Sequence, residues 1–202
     1  EKFGYSLLQP PLESLIIAYP NQGFDINNID EATVNKEFLI GKQGLKNVMT
    51  YTEKNTNPPT RGNFNYKPWV IEEYGRIFSP SLIGNFSSKI KNVSDLIVKS
   101  EGIILIYSQY IDGGVIPMAL ALEELGFVKY GGKSLFETPP RESIDSIDMV
   151  SKSEYTGDNF KSASYVMITG DKALSPDNDA TMKAITAKTN ENGKDIKVVI
   201  IS

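Results

Sequence analysis

The chain has no cysteine and no histidine in its 202 residues, one tryptophan, and only Arg61, Arg76 and Arg141 as arginines. It also lacks any apolar run near the roughly 20 residues that a membrane span requires. Without cysteine there can be no disulfide framework and no thiolate metal site. Without histidine there is no imidazole base, no Ser-His-Asp triad and no ordinary zinc centre. A metal ion would have to sit on carboxylate or phosphate oxygens. A basic, apolar, small-residue export signal is missing from the N-terminus, so the chain reads as intracellular. With 21 basic against 25 acidic side chains the net charge is −4, which argues against a nonspecific polyanion binder but leaves room for a local basic face.

What is present suffices for a globular core. A chain of this length removes roughly 70% of its unfolded surface from water, enough for one core or a core with an appendage. The chain opens at Glu1 and stops at Ser202, directly after the apolar run Lys197 to Ile201, and it reads as a piece cut from something longer.

Residues 1 to 81 are expected to be a loop-rich segment or linker, because breakers recur at Pro10-Pro11, Pro20-Asn21, Asn27-Asn28, Asn57-Pro58-Pro59, Gly62-Asn63 and Ser79-Pro80. Within it, Leu12 to Tyr19 predicts a strand and Gly41 to Tyr51 a short helix with Leu45, Val48 and Met49 on one face. The aromatic residues Phe64, Tyr66, Trp69, Tyr74 and Phe78 are read as anchors that pack this segment on a core.

From residue 82 onward the periodicity strengthens. Leu82, Phe86, Ile90, Val93 and Ile97 make one helical face. Ile103 to Tyr107 is a short apolar run expected of a strand covered on both faces. Asp112-Gly113-Gly114 punctuates, and Val115 to Leu125 predicts a helix with Pro117 in its first turn and Gly126 at its end. Phe127 to Tyr130 is a second strand. Residues 131–163 show no sustained period and read as a polar insertion. Ser164 to Thr169 is a third strand with Gly170-Asp171 as its exit. A helix capped by Ser175 then runs to about Thr189, and Lys197 to Ile201 is the last strand.

This alternation predicts an α/β fold over residues 82–202, a mostly parallel sheet with helices on both faces. Ligands of such sheets lie beyond the carboxyl ends of the strands. The residues there are Ser108-Gln109, Thr169-Gly170-Asp171 and Ser202, whose hydroxyls and backbone amides can hold phosphate oxygens without net positive charge. Strand-exit residues of these types also make ordinary turns and caps. Other motifs carry less. Gly131-Gly132-Lys133-Ser134 matches the end of a phosphate-cradling loop, but the required earlier glycine is Phe127 and no helix follows. It reads as a turn with a solvated lysine. The acids Glu123-Glu124 and Asp145/Asp148 are read as solvated faces.

Ile104-Leu105-Ile106-Tyr107-Ser108, followed by a helix ending Leu-Glu-Glu-Leu-Gly-Phe, resembles the fourth helicase motif in the second RecA-like lobe of superfamily 2 helicases. Met167 to Lys172 resembles the next strand with its glycine-acid exit, and Lys197 to Ser202 the strand entering the fifth motif. The stretch Tyr107 to Gly114 is most similar to putative helicases of large eukaryotic DNA viruses, related to poxvirus-type transcription NTPases. The resemblance implies a hydrolase driven by ATP and Mg2+, both bound mainly by a first lobe outside this chain. It also implies single-stranded RNA or DNA as partner and a location in host cytoplasm or virion. Ser108, Gly170 and Ser202 would touch the strand's backbone, with Gln109 beside them and Thr169 and Asp171 shaping the exit loop. No arginine finger is visible, so this segment alone is expected to be inactive. The rivals are a stand-alone α/β binding or virion structural module and a small-molecule transferase.

Overall fold

The computed structural model describes residues 5–23 and 36–202. The Asn27-Asn28 pair lies outside them. The segment before residue 82 is more ordered than its breakers suggest: α1 (Tyr5–Ser14), α2 (Gly41–Val48), the hairpin strands β1 (Met49–Lys54) and β2 (Thr60–Tyr66), and α3 (Pro68–Tyr74). Helix α1 runs through Pro10-Pro11. The expected strand at Leu12 to Tyr19 is absent. Its first part is helical, and residues 17–20 form no ladder, their backbone bonding singly to Phe86 and Leu39. Ile17 and Tyr19 are fully buried all the same. An apolar run needs a core, and a sheet is only one way to supply it.

After α4 (Ser88–Lys99) the chain alternates β3 (Ile104–Tyr107), α5 (Ile116–Leu125), β4 (Val128–Lys129), β5 (Ser164–Ile168), α6 (Asn178–Thr186) and β6 (Val198–Ile201). Helix α4 begins later than its apolar face predicts, because the Ser87 hydroxyl accepts the Ile90 amide and fixes the N-cap there. Likewise Asp177, not Ser175, caps α6. The Ser175 hydroxyl is buried under the exit of β5 instead, on the Thr169 amide and hydroxyl.

Among the described residues β3, β6, β5 and β4 form a parallel sheet in that order. Tyr165, Met167, Val198 and Ile200 face a large core shared with α2, α4, α5 and the hairpin. Val166 and Val199 face α6 on the opposite side, against Ala184 and Ile185. The fold is therefore α/β with helices on both faces of a parallel sheet, and the segment before residue 82 shares its main core. Strand β3 is not covered on both faces as its composition suggests. Leu105 and Tyr107 are 66% and 73% exposed, because α6 packs over β5 and β6 only.

Helix α5 is buried all round, including Glu123 and Glu124. Gly126 ends it in the left-handed region at φ 100°, where a Cβ would come within 2.7 Å of the Glu142 carbonyl. Gly126→Ala is expected to cost roughly 2 kcal/mol, from the disfavoured backbone together with that contact. Urea unfolding measures it, and a change under 0.5 kcal/mol would reject the account.

The connection 130–163 is a packed crossover and not a solvated excursion. Leu135, Phe136, Ile144 and Ala163 are buried in the main core, and Phe136 bridges to Phe64 of the hairpin. Asp145 is 2% exposed. Its carboxylate gathers the amides of Ile147, Asp148 and Lys161 at 2.8–3.0 Å. Burial alone would push its carboxyl pKa up, but these N–H donors outweigh that and hold it below the usual range. The paired acids read as solvated thus include one that organises the crossover from inside.

Candidate functional site

Parallel pairing brings three strand ends into line. Tyr107, Ile201 and Ile168 are register partners across β3, β6 and β5. The next residue of each strand continues the ladder, the Ser108 amide donating to Ile201 and the Ser202 amide to Ile168, both at 3.0 Å. Ser108, Ser202 and Thr169 therefore stand side by side on one edge, at the strand spacing of about 4.8 Å.

Their side chains differ in access. Gln109, Gly170 and Ser202 are exposed, Ser108 and Asp171 half-buried, and Thr169 buried. The Ser108 hydroxyl folds back on its own turn, donating to the Tyr110 carbonyl at 3.2 Å. Gly114 makes room for it, since a Cβ at that position would lie 2.0 Å from the Ser108 oxygen. The Thr169 hydroxyl is spent inside the exit loop on Ser175 and on the Asp171 amide. Asp171 caps the Ala173 amide at 2.9 Å. These two shape the loop, and Gly170 is left at its tip.

The hairpin lies against this edge through one residue that sequence reading passed over. Arg61 of β2, its side chain 4% exposed, forms ion pairs with Asp112 beyond β3, with Asp171 beyond β5 at 3.2 Å, and with Glu53 of its own hairpin at 3.7 Å. Its guanidinium sits 5.6 Å from the centre of the Tyr51 ring. Arg61 and Phe64 are three residues apart, a spacing that a regular strand sends to opposite faces. The ladder slips between Thr50 and Thr52, placing an extra residue on β2 beside Asn63, whose φ is 54°. This bulge turns both Arg61 and Phe64 inward. The only signal in the sequence was the pair Gly62-Asn63, read as a breaker.

The acids at the end of α5 lie in the interior, away from the edge. Glu123 accepts from the amides of Leu135 and Phe136 at 2.7 and 2.9 Å, from the Tyr165 hydroxyl at 2.7 Å, and from the Ser134 hydroxyl. Glu124 accepts from the Tyr66 hydroxyl at 2.6 Å and pairs with Arg76 at 3.0 Å. Burial and the adjacent carboxylates push both tyrosine hydroxyls well above their ordinary pKa, keeping them as donors.

Among the described residues no group of three or more acids gathers where a metal ion could sit, and no helix is long and apolar enough to cross a membrane. No family model matches the chain, and no curated protein matches it.

Proposed function

We propose that this chain is the second RecA-like lobe of a superfamily 2 helicase or translocase. In this reading it holds the backbone of one RNA or DNA strand along the carboxyl edge of its sheet and forms one side of an ATP cleft completed by a first lobe. The in-register ending of β3, β6 and β5 carries the reading, because it sets Ser108, Ser202 and Thr169 side by side, with Ser202 exposed and the exposed Gln109 and Gly170 following directly after the other two. The amides of Ser108, Ser202 and Thr169 are spent within the fold, so the Gln109 carboxamide, the Ser202 hydroxyl and the exposed Gly170 backbone are the groups offered to phosphodiester oxygens, and such contacts are indifferent to base sequence. Hydrolysis is assigned to the parent protein, with its metal-binding acids on the other lobe, as the resemblance implies. ATP would close the two lobes and product release would reopen them, moving the grip along the strand.

Gly170→Glu tests the row directly. A Cβ there meets nothing within 4 Å, and the backbone is outside the left-handed region, so the fold should tolerate the side chain. The added charge should weaken binding of fluorescent oligo(dT) and oligo(U) about tenfold at low salt, equally for both sequences, with an unchanged melting temperature. Unaltered anisotropy titrations would remove the strand from this edge and favour a binding or structural module without ATPase partners.

A further inference from the structure

The connections leaving β4 and β5 part to opposite faces of the sheet. After β4 the chain turns through Gly131 to Ser134 and buries Leu135 and Phe136 in the main core; after β5 it enters α6 on the other face. Adjacent parallel strands whose connections diverge leave a crevice beyond their carboxyl ends, the place where α/β sheets bind ligands. Here the crevice is roofed by the hairpin and has a volume of about 410 Å³, within the range of small-ligand pockets.

Its walls are cationic. Lys54 comes from the hairpin, Lys129 from the end of β4 and Lys133 from the turn after it, with Thr52, Thr60 and Asn63 beside them. No carboxylate lines the crevice. Arg61 also reaches the wall, but its charge is already matched by Asp112, Asp171 and Glu53. None of the three lysines forms an ion pair among the described residues. Lys129 is half-buried, and the acceptor of its ammonium is the Leu174 carbonyl at 2.9 Å. Burial pushes its pKa down, and the nearby Glu123 and Asp171 carboxylates offset that only in part. The Gly-Gly-Lys-Ser turn, which fails as a P-loop for want of its earlier glycine and following helix, here presents its lysine to a crevice formed by other segments.

We propose that this crevice binds a polyphosphate group, such as that of a nucleoside di- or triphosphate, on Lys54, Lys129 and Lys133, without hydrolysing it. The concave shape and the convergence of three unpaired cations from separate segments favour a compact, multiply charged ligand over an extended strand. This inference does not rest on the helicase reading, because it uses lysines to which that reading gives no role and needs no second lobe.

Calorimetric titration of the full chain with tripolyphosphate, ATP and oligo(dT), each alone, tests it. Tripolyphosphate and ATP should bind with similar affinity. The exposed double variant K54E/K133E should lose at least tenfold in both while keeping the wild-type melting temperature, and Gly170→Glu should leave both unchanged. Absence of tripolyphosphate binding to the wild type would overturn the proposal, as would wild-type affinity in K54E/K133E. Binding of oligo(dT) alone, lost in K54E/K133E, would also overturn it and assign the lysines to a nucleic-acid strand. Loss of oligonucleotide binding in Gly170→Glu with polyphosphate binding intact would separate the two sites.

Discussion

Glu123→Ala is expected to lower the unfolding free energy by about 4 kcal/mol, the largest loss foreseen for a single side chain in this protein. The carboxylate is 2% exposed and collects two backbone amides and two hydroxyls from two places outside its own helix: Ser134 to Phe136 in the crossover, and Tyr165 in β5. Removing it leaves the Leu135 and Phe136 amides and the Tyr165 hydroxyl as buried donors without an acceptor. Each such orphan costs about 1–3 kcal/mol, and the costs overlap because the crossover can shift. For a chain of this size about 4 kcal/mol lowers the melting temperature by roughly 8–16 °C. Glu123→Gln should lose about half as much, since one amide oxygen remains an acceptor while the new NH2 faces other donors. Urea titration followed by the fluorescence of Trp69, which packs against the main core, measures both. An alanine variant within 1 kcal/mol of wild type would show that the crossover is held by its apolar contacts alone.

Arg61→Met should cost about 3 kcal/mol and detach the hairpin from the carboxyl edge. The guanidinium is buried while Asp112 and Asp171 keep a quarter of their side-chain surface in water, so its removal strands two partly desolvated carboxylates. Breaking a fully buried pair costs about 3–5 kcal/mol, and the residual exposure of the acids places this one at the lower end. Arg61→Lys should recover little, because one ammonium cannot span two carboxylates the way a planar fork does. Adding Asp112→Asn to Arg61→Met should restore about 1 kcal/mol by deleting one stranded charge. Hydrogen exchange provides the second measurement: amides of β1 and β2 should lose protection before those of β5 and β6. Equal loss in both sheets would mean that Arg61 supports the whole core and not the hairpin's docking.

The parts of the fold legible in the sequence are those with short-range causes. Strands β3, β5 and β6 were visible as apolar runs, and α5 was bounded by Pro117 and Gly126, because side-chain periodicity and backbone permissiveness act within one element. Strand register, and with it the alignment of Ser108, Thr169 and Ser202, was set by the folded ladder. Element boundaries were misplaced where a side chain chose between two partners: Ser87 started α4 late, and Ser175 turned inward and left the cap of α6 to Asp177. The strand expected at Leu12 to Tyr19 failed for a related reason, since burial of Ile17 and Tyr19 needed no ladder.

Hydropathy and punctuation alone thus determined a parallel α/β sheet and the edge to which its polar exits point. The fate of the charged residues was decided only by tertiary structure. Glu123, Glu124 and Asp145 carry the sequence signature of solvated acids, yet they lie in the interior. Arg61, in a segment without clear period, joins partners 51 and 110 residues away. A buried charge is tolerated only where donors or counter-charges meet it. In this chain those come from distant segments, which only the folded arrangement brings together.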